Sequence, residues 1–301
     1  MYKVALSVAA CLRADTHVDV AWPVWSDALP VDPGTDAVAL TPGGGRVGSL
    51  LGGALDSQLT EHATHDHGRL LELTVADVDA AIAGLPHGGR VSCALTPAAA
   101  LPPALWNGLQ DRTPLCLVTE RDGDELGTTI LFTTDDIAEA PEDVAALFRQ
   151  GVSAAAVHDD RVVTVLWPVP QLVVTGGGPI ADALTDAAHL VGWQVIVEPD
   201  PQTASGLIAS LAELDSVVVI GHDVEASSRC LAAALESRVG YVGALGSHRM
   251  QQQRADWLAY RGITDLDRVH GPAGFDIGAR SPGEVAVAIV AEAIAAHRAD
   301  S

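Results

Sequence analysis

The chain has 301 residues, enough for two domains at the usual prior of about 100 to 200 residues each. Its 17 Lys and Arg stand against 39 Asp and Glu, a formal net charge of -22; this argues against a nucleic-acid partner, because phosphate-backbone binding depends on dense Lys and Arg. The hydrophobic fraction is 48% but the aromatic fraction only 4%, which suits packed α/β layers. No apolar run approaches the roughly 18 residues needed to span a bilayer, and no basic segment followed by an apolar core opens the chain, so a cytoplasmic protein without a membrane span is expected.

In the first half, short β-like runs at residues 4–9, 38–40, 70–75, 91–95, 115–119, 128–132 and 162–166 are separated by glycine and proline punctuation. Residues 1–167 therefore read as a smaller, β-rich α+β domain. Within it, residues 41–56 form a hairpin-like turn running into a glycine-bearing helix start that includes Gly52 and Gly53; the competing reading is a surface loop. Residues 61–67 hold His62, His65 and His67, but their spacing matches no catalytic zinc motif, so a solvated loop is expected there. The four cysteines, Cys11, Cys93, Cys116 and Cys230, lie far apart without a CxxC and read as reduced core thiols.

Pro168 and Pro170 mark a hinge, and beyond it strand and helix alternate. Strands are expected at 172–175, 194–197, 216–220 and 241–245, and helices follow from about 180, 204, 225 and 248, with a last one reaching about 297. Such a βαβ series makes residues 168–301 a Rossmann-like domain with a parallel sheet. The first strand runs into Gly176, Gly177 and Gly178, with Ala181 completing a G-x-G-x-x-A turn; Glu198 ends the second strand, where an acidic residue would bind a ribose hydroxyl. Pro179 removes one amide from that turn.

His222 and Asp223 follow the third strand, with Asp223 read either as a ligand contact or as the cap of the next helix. After the fourth strand come Gly243, Gly246, Ser247 and Arg249, the last two candidates to grip an anion. Residues 270–280 form a glycine-rich loop with Asp276, Gly278 and a buriable Asp276–Ile277 pair, and Ser281 to Glu284 read as a capping box with Pro282 at the first helical position. A phosphate or pterin phosphate would suit the helix end that this loop feeds; an ordinary tight turn is the alternative. These turns are expected to converge on one edge of the sheet. No catalytic residue and no metal ligand is assigned.

The run from Tyr241 to Arg249, the run from His270 to Arg280, the triple glycine and the pair His222, Asp223 together resemble the XdhC/CoxI family over roughly residues 170 to 298, and Gly48 to Gly53 resembles its N-terminal glycine motif. Members are accessory proteins of molybdenum hydroxylases such as xanthine dehydrogenase and carbon monoxide dehydrogenase. The resemblance implies binding of the molybdenum cofactor, its protection or sulfuration, and delivery to a hydroxylase apoenzyme; a sulfur-donating desulfurase is a further expected partner, and a homodimer the expected assembly. This chain departs from the pattern at Ala54 and His87, where the family has cysteines, and at Pro179, Val224 and Ser227. The alternatives are an NAD(P)-dependent oxidoreductase, motivated by Gly176, Gly178, Ala181 and Glu198, and a ligand-free interaction module.

Overall fold

The computed structural model describes residues 1–63 and 67–299 and divides into two units, Met1–Pro168 and Val169–Ser301. In the first, the order is α1 (Ala5–Arg13), β1 (Asp19–Ser26), β2 (Ala37–Leu40), β3 (Arg46–Ser49), α2 (Asp56–His62), β4 (Gly68–Val75), α3 (Asp77–Ile82), β5 (Gly89–Pro97), α4 (Pro103–Gln110), β6 (Leu115–Asp122), β7 (Glu125–Thr133), α5 (Glu142–Phe148), β8 (Ala154–Val157) and β9 (Arg161–Leu166). The strands form one antiparallel sheet in the order β3-β2-β1-β5-β4-β7-β6-β9-β8. It curls on itself, since Trp22 of β1 donates from Nε1 to Thr164 Oγ1 of β9, 3.1 Å away in the interior. Val20, Trp22, Leu115, Leu117, Val162 and Leu166 fill the inside of the curl with α1 and α4. On the outer side α2 and α3 cover β1, β4 and β5, and α5 covers β6 and β9.

Two local expectations are corrected here. Residues 4–9 are not a strand; they open α1, because Ala5, Val8 and Ala9 are buried at helical spacing while Leu6 faces solvent, a period of 3.6 rather than 2. β1 is a strand that Pro23 obscures in the sequence: its pairing with β5 shifts register between Pro23 and Trp25, the kind of bulge that tolerates a proline.

The second unit runs β10 (Gln171–Thr175), α6 (Pro179–Leu190), β11 (Gln194–Glu198), α7 (Pro201–Ile208), β12 (Ser216–Val219), α8 (Val224–Glu236), β13 (Tyr241–Ala244), α9 (His248–Ala259), β14 (Val269–His270) and α10 (Pro282–Ala299). Every strand pair is parallel, in the order β11-β10-β12-β13-β14. Leu172, Val173 and Val174, like Val217, Val218 and Val219, are buried as continuous apolar runs because both sheet faces are covered. Val173, Val217, Val219 and Val242 pack against α7, α8 and α9; Leu172, Val174, Val218 and Tyr241 pack against α6 and α10. The sequence predicts a helix over residues 204–214, but α7 stops at Ile208. The buried Asp215 carboxylate accepts from Ala212 N at 2.8 Å and Gln171 N at 2.8 Å, drawing the segment out of the helix and onto the start of β10.

His297, in the last turn of α10, lies 3.0 Å from Ser216 Oγ through Nε2 and packs edge-on against Trp193. Burial lowers its pKa from the ordinary value of 6.5. The fold therefore favours neutral imidazole: this stability is complete above pH 6.5 and is lost as the pH falls through 6.5 toward the lowered native value, because the unfolded chain takes up the proton first. Thermal melts of the full chain between pH 7.5 and 5.5 should show a falling transition that is flatter in His297→Gln.

Candidate functional site

The strand order reverses between β10 and β12, the position at the carboxyl edge where open α/β sheets place their ligands. Gly176 turns the chain out of β10 with φ +96°, and a Cβ there would sit 1.8 Å from the Ile220 carbonyl oxygen. Only glycine accepts both conditions. The exits are laced by Gly176 N–H to Glu198 O (3.3 Å), Ile220 N–H to Thr175 O (2.8 Å) and Leu245 N–H to Val219 O (2.9 Å). Gly178, at φ +97°, leads into Pro179, the first residue of α6, whose start has no side-chain cap. Apart from the adjoining residues, no atom lies within 4 Å of where Gly177 or Gly178 would carry a Cβ, so this turn borders open space.

Glu198 pairs with Thr175 at the end of β11, beside Gly176. Its Oε1 accepts the Asp200 amide at 2.8 Å, and Asp200 in turn caps α7 through Thr203 N. At the next exit, Asp223 caps α8 by accepting from Ala226 N at 3.0 Å, so of its two readings the carboxylate performs the cap, and His222 is exposed. Ser247 caps α9, its Oγ accepting from Met250 N at 3.4 Å through a lone pair rather than through its O–H donor. Gly246 takes φ +138°, Gly243 lies under the Tyr241 ring, and Arg249 is exposed in the first turn of α9.

The 270–280 loop is anchored by polar contacts. Ala273 N–H donates to Ala244 O at 3.1 Å. The Glu292 carboxylate, on the sheet-facing side of α10, accepts from Tyr241 OH at 2.6 Å and Gly274 N at 2.8 Å, and stands 3.3 Å from His270 Nδ1. Burial first, and the bond to Glu292 second, raise the Tyr241 phenol's pKa. The capping box forms: Glu284 N donates to Ser281 Oγ at 3.3 Å, while Glu284 Oε2 accepts from Arg280 N at 2.7 Å and Ser281 N at 2.9 Å, holding its carboxyl below the ordinary value. That carboxylate occupies the helix end the sequence offers to an anion. The expectation of a buriable Asp276–Ile277 pair is also corrected. Asp276 is exposed, its Oδ1 3.4 Å from Gly278 N, and Ile277 and Phe275 are 58% and 47% exposed, because Tyr241 and Glu292 already fill the space below the loop.

Residues 172–293 match the family model of the XdhC Rossmann domain. The second unit is thus similar to the XdhC Rossmann domain, in line with the resemblance that the sequence carries. The uncharacterised protein YqeB of Escherichia coli (strain K12) is 28% identical over 144 residues, covering 41% of this chain and 26% of that protein. The chain thus spans about a quarter of the length of that curated relative. A crystal structure of a Bacillus halodurans protein, titled a xanthine dehydrogenase, shares 17% identity with a TM-score of 0.45 over 99% of this chain and 96% of that one.

Within the second unit the structure adds a residue that the sequence does not single out. Arg254 of α9 is 1% exposed. Its guanidinium donates to Gly221 O (2.8 Å), Leu245 O (2.7 Å), Ser227 Oγ (2.9 Å) and Gln251 Oε1 (3.3 Å), tying the exits of β12 and β13 together. The available signal was its position four residues before the buried Leu258, on the apolar side of the helix. Glu292 had a similar signal, lying between the buried Ile289 and Ala293.

In the first unit Gly52 and Gly53 adopt φ +66° and +96° ahead of α2. The nearby Asp56 is buried, with Oδ2 held by Arg46 Nη1 at 2.6 Å and Oδ1 without a hydrogen-bond partner. His87 is exposed, its Nδ1 2.8 Å from Gly88 O. Residues 64–66 of the histidine tract lie outside the described residues, and among the described ones no cluster of His, Cys, Asp or Glu is set to hold a metal ion. No described helix is long and apolar enough to cross a membrane.

Gly176 and Gly177 of the β10 turn should respond differently to alanine. Gly176→Ala forces a Cβ into the Ile220 carbonyl and should cost about 3 kcal/mol or more, whereas Gly177→Ala should stay within about 0.5 kcal/mol. Urea titrations of the two variants read this directly, and equal midpoints would contradict the close approach.

Proposed function

We propose that this chain is an accessory protein for the maturation of a molybdenum hydroxylase, one that binds the molybdenum cofactor at the carboxyl edge of its XdhC domain and hands it to the apoenzyme. The observation that carries this reading is the XdhC Rossmann match over residues 172–293 on a sheet whose exits bear the glycine turns. The residues present fit a bound pterin in one respect. The open backbone at Gly177 and Gly178 leaves room for a flat or phosphate-bearing ligand to approach.

They do not fit sulfur handling. Ala54 and His87 supply no thiol, and Cys11, read from the sequence as a core thiol, is only half-buried against the interior of the first unit. Cys93, Cys116 and Cys230 are buried, their pKa values raised by desolvation, the first two to about 12, and these three thiols are protonated at neutral pH and closed to a partner. The role proposed is therefore binding and delivery, with sulfuration left to a separate desulfurase. A xanthine or carbon monoxide dehydrogenase is the class of target enzyme, and a cytoplasmic homodimer the working assembly. Incubated with molybdopterin, the purified chain should retain it through gel filtration, read by pterin fluorescence, and should raise activation of a hydroxylase apoenzyme; absence of both effects rejects the reading.

A second reading, a dinucleotide-binding oxidoreductase, is favoured by Glu198, which pairs with Thr175 beside the Gly176 turn. It requires saturable binding of reduced nicotinamide dinucleotide that Glu198→Ala weakens by about tenfold, the order of one lost charged hydrogen bond. An unchanged titration removes it.

A further inference from the structure

Arg254 presents an electrostatic imbalance. A guanidinium removed from water is ordinarily matched by a carboxylate, because burial of an unpaired charge is costly. Here the partners are two backbone carbonyls, a serine hydroxyl and a glutamine oxygen, and no ion pair to Arg254 is formed among the described residues. Burial alone acts on its pKa, lowering it, with no acidic group offsetting that effect. The carboxylates nearest in sequence to the exits are engaged elsewhere: Asp223 caps α8, and Glu225 pairs with Arg229.

The position of this charge matters as much as its isolation. Gly221 O and Leu245 O belong to the loops that leave β12 and β13, and Ile220, one residue before Gly221, is the residue against which Gly176 packs. Gln251 extends the same web: its Nε2 donates to Ala244 O at 2.8 Å, and its amide lies 3.1 Å from the Cβ position of Gly271. One cation therefore braces the exits of β12 and β13, directly and through Gln251. Within a chain of net charge -22, it is a fixed positive charge beneath the mouth of the crevice.

We propose that Arg254 is the positioning and charge-selecting residue of this crevice: it holds the exits of β12 and β13 in one arrangement, and its unmatched buried charge selects an anionic, phosphate-bearing ligand. The inference rests on reading the carboxyl edge as the ligand crevice, and it commits the ligand's chemical class without depending on the pterin. Arg254 touches no ligand itself. It acts through the Gly221 and Leu245 carbonyls that it fixes and through its field, which a low-dielectric floor screens poorly.

Inorganic pyrophosphate is the probe, titrated calorimetrically into the full-length wild type, Arg254→Lys and Arg254→Met, with each variant's fold checked by circular dichroism and thermal melting. The expected result is saturable binding to wild type, weakened about tenfold or more in Arg254→Met and restored in large part by Arg254→Lys, which keeps the charge but not the fork of donors. Equal affinity for wild type and Arg254→Met, or no pyrophosphate binding to wild type, overturns the proposal. So does an equal loss in the Lys and Met variants that merely parallels their loss of melting temperature, since that would assign the residue a structural role alone. The outcomes also separate this inference from the maturation reading: pyrophosphate binding that depends on Arg254 without molybdopterin retention leaves the charge selection standing, whereas molybdopterin retained equally by wild type and Arg254→Met leaves only the maturation role.

Discussion

The carboxyl edge of the parallel sheet depends on one close approach, that of the Gly176 backbone to the Ile220 carbonyl oxygen. With a side chain at Gly176 the exits of β10 and β12 could not lie against each other, and the reversal of strand order between them would not open as a narrow crevice. The positive φ of the same residue turns the chain away from the sheet toward α6. Conformation and contact thus make one demand on one position, and only a residue lacking Cβ meets it.

Around that approach, the helix ends at this edge are managed in two ways. α7, α8, α9 and α10 are capped by side chains of their own chain, Asp200, Asp223, Ser247 and Ser281 respectively, each accepting from one amide of the first turn. α6 starts with Gly178 and Pro179 and has no such cap. The polar candidates of the sequence therefore divide. Asp223 and Ser247 do structural work at helix ends, while Gly177 and Gly178 of the β10 turn keep their backbone open. Beneath the exits the structure places polar groups on otherwise apolar helix sides: Arg254 joins two loops, and Glu292 collects Tyr241, His270 and the Gly274 amide. The 270–280 loop is ordered by that carboxylate, which is why Phe275 and Ile277 remain exposed above it.

Much of the second unit was legible because its signals are local and repeated. Valine-rich runs of four or five residues, each followed by glycine or a capping residue and then an amphipathic stretch, admit little besides a parallel sheet clothed by helices. The first unit was harder to read. A run such as residues 4–9 is apolar at both period 2 and period 3.6 over so short a span, and only the packing of Ala5, Val8 and Ala9 on one side chose the helix. Pro23 concealed β1 for a related reason, since a proline excludes itself from a regular ladder but not from a bulge.

Features that follow from a residue's own backbone and its near neighbours are legible before the fold is known: the glycine turns, the capping box at Ser281 and Glu284, and the βαβ rhythm of residues 168–301. These are set within a few residues, where φ, capping and side-chain period act. Tertiary structure alone decided which charges go inside. The partners of Arg254 lie up to 33 residues away, and those of Glu292 up to 51, so no local pattern distinguishes them from solvated residues on the same helices. A buried charge is defined by groups that only the completed sheet brings within reach.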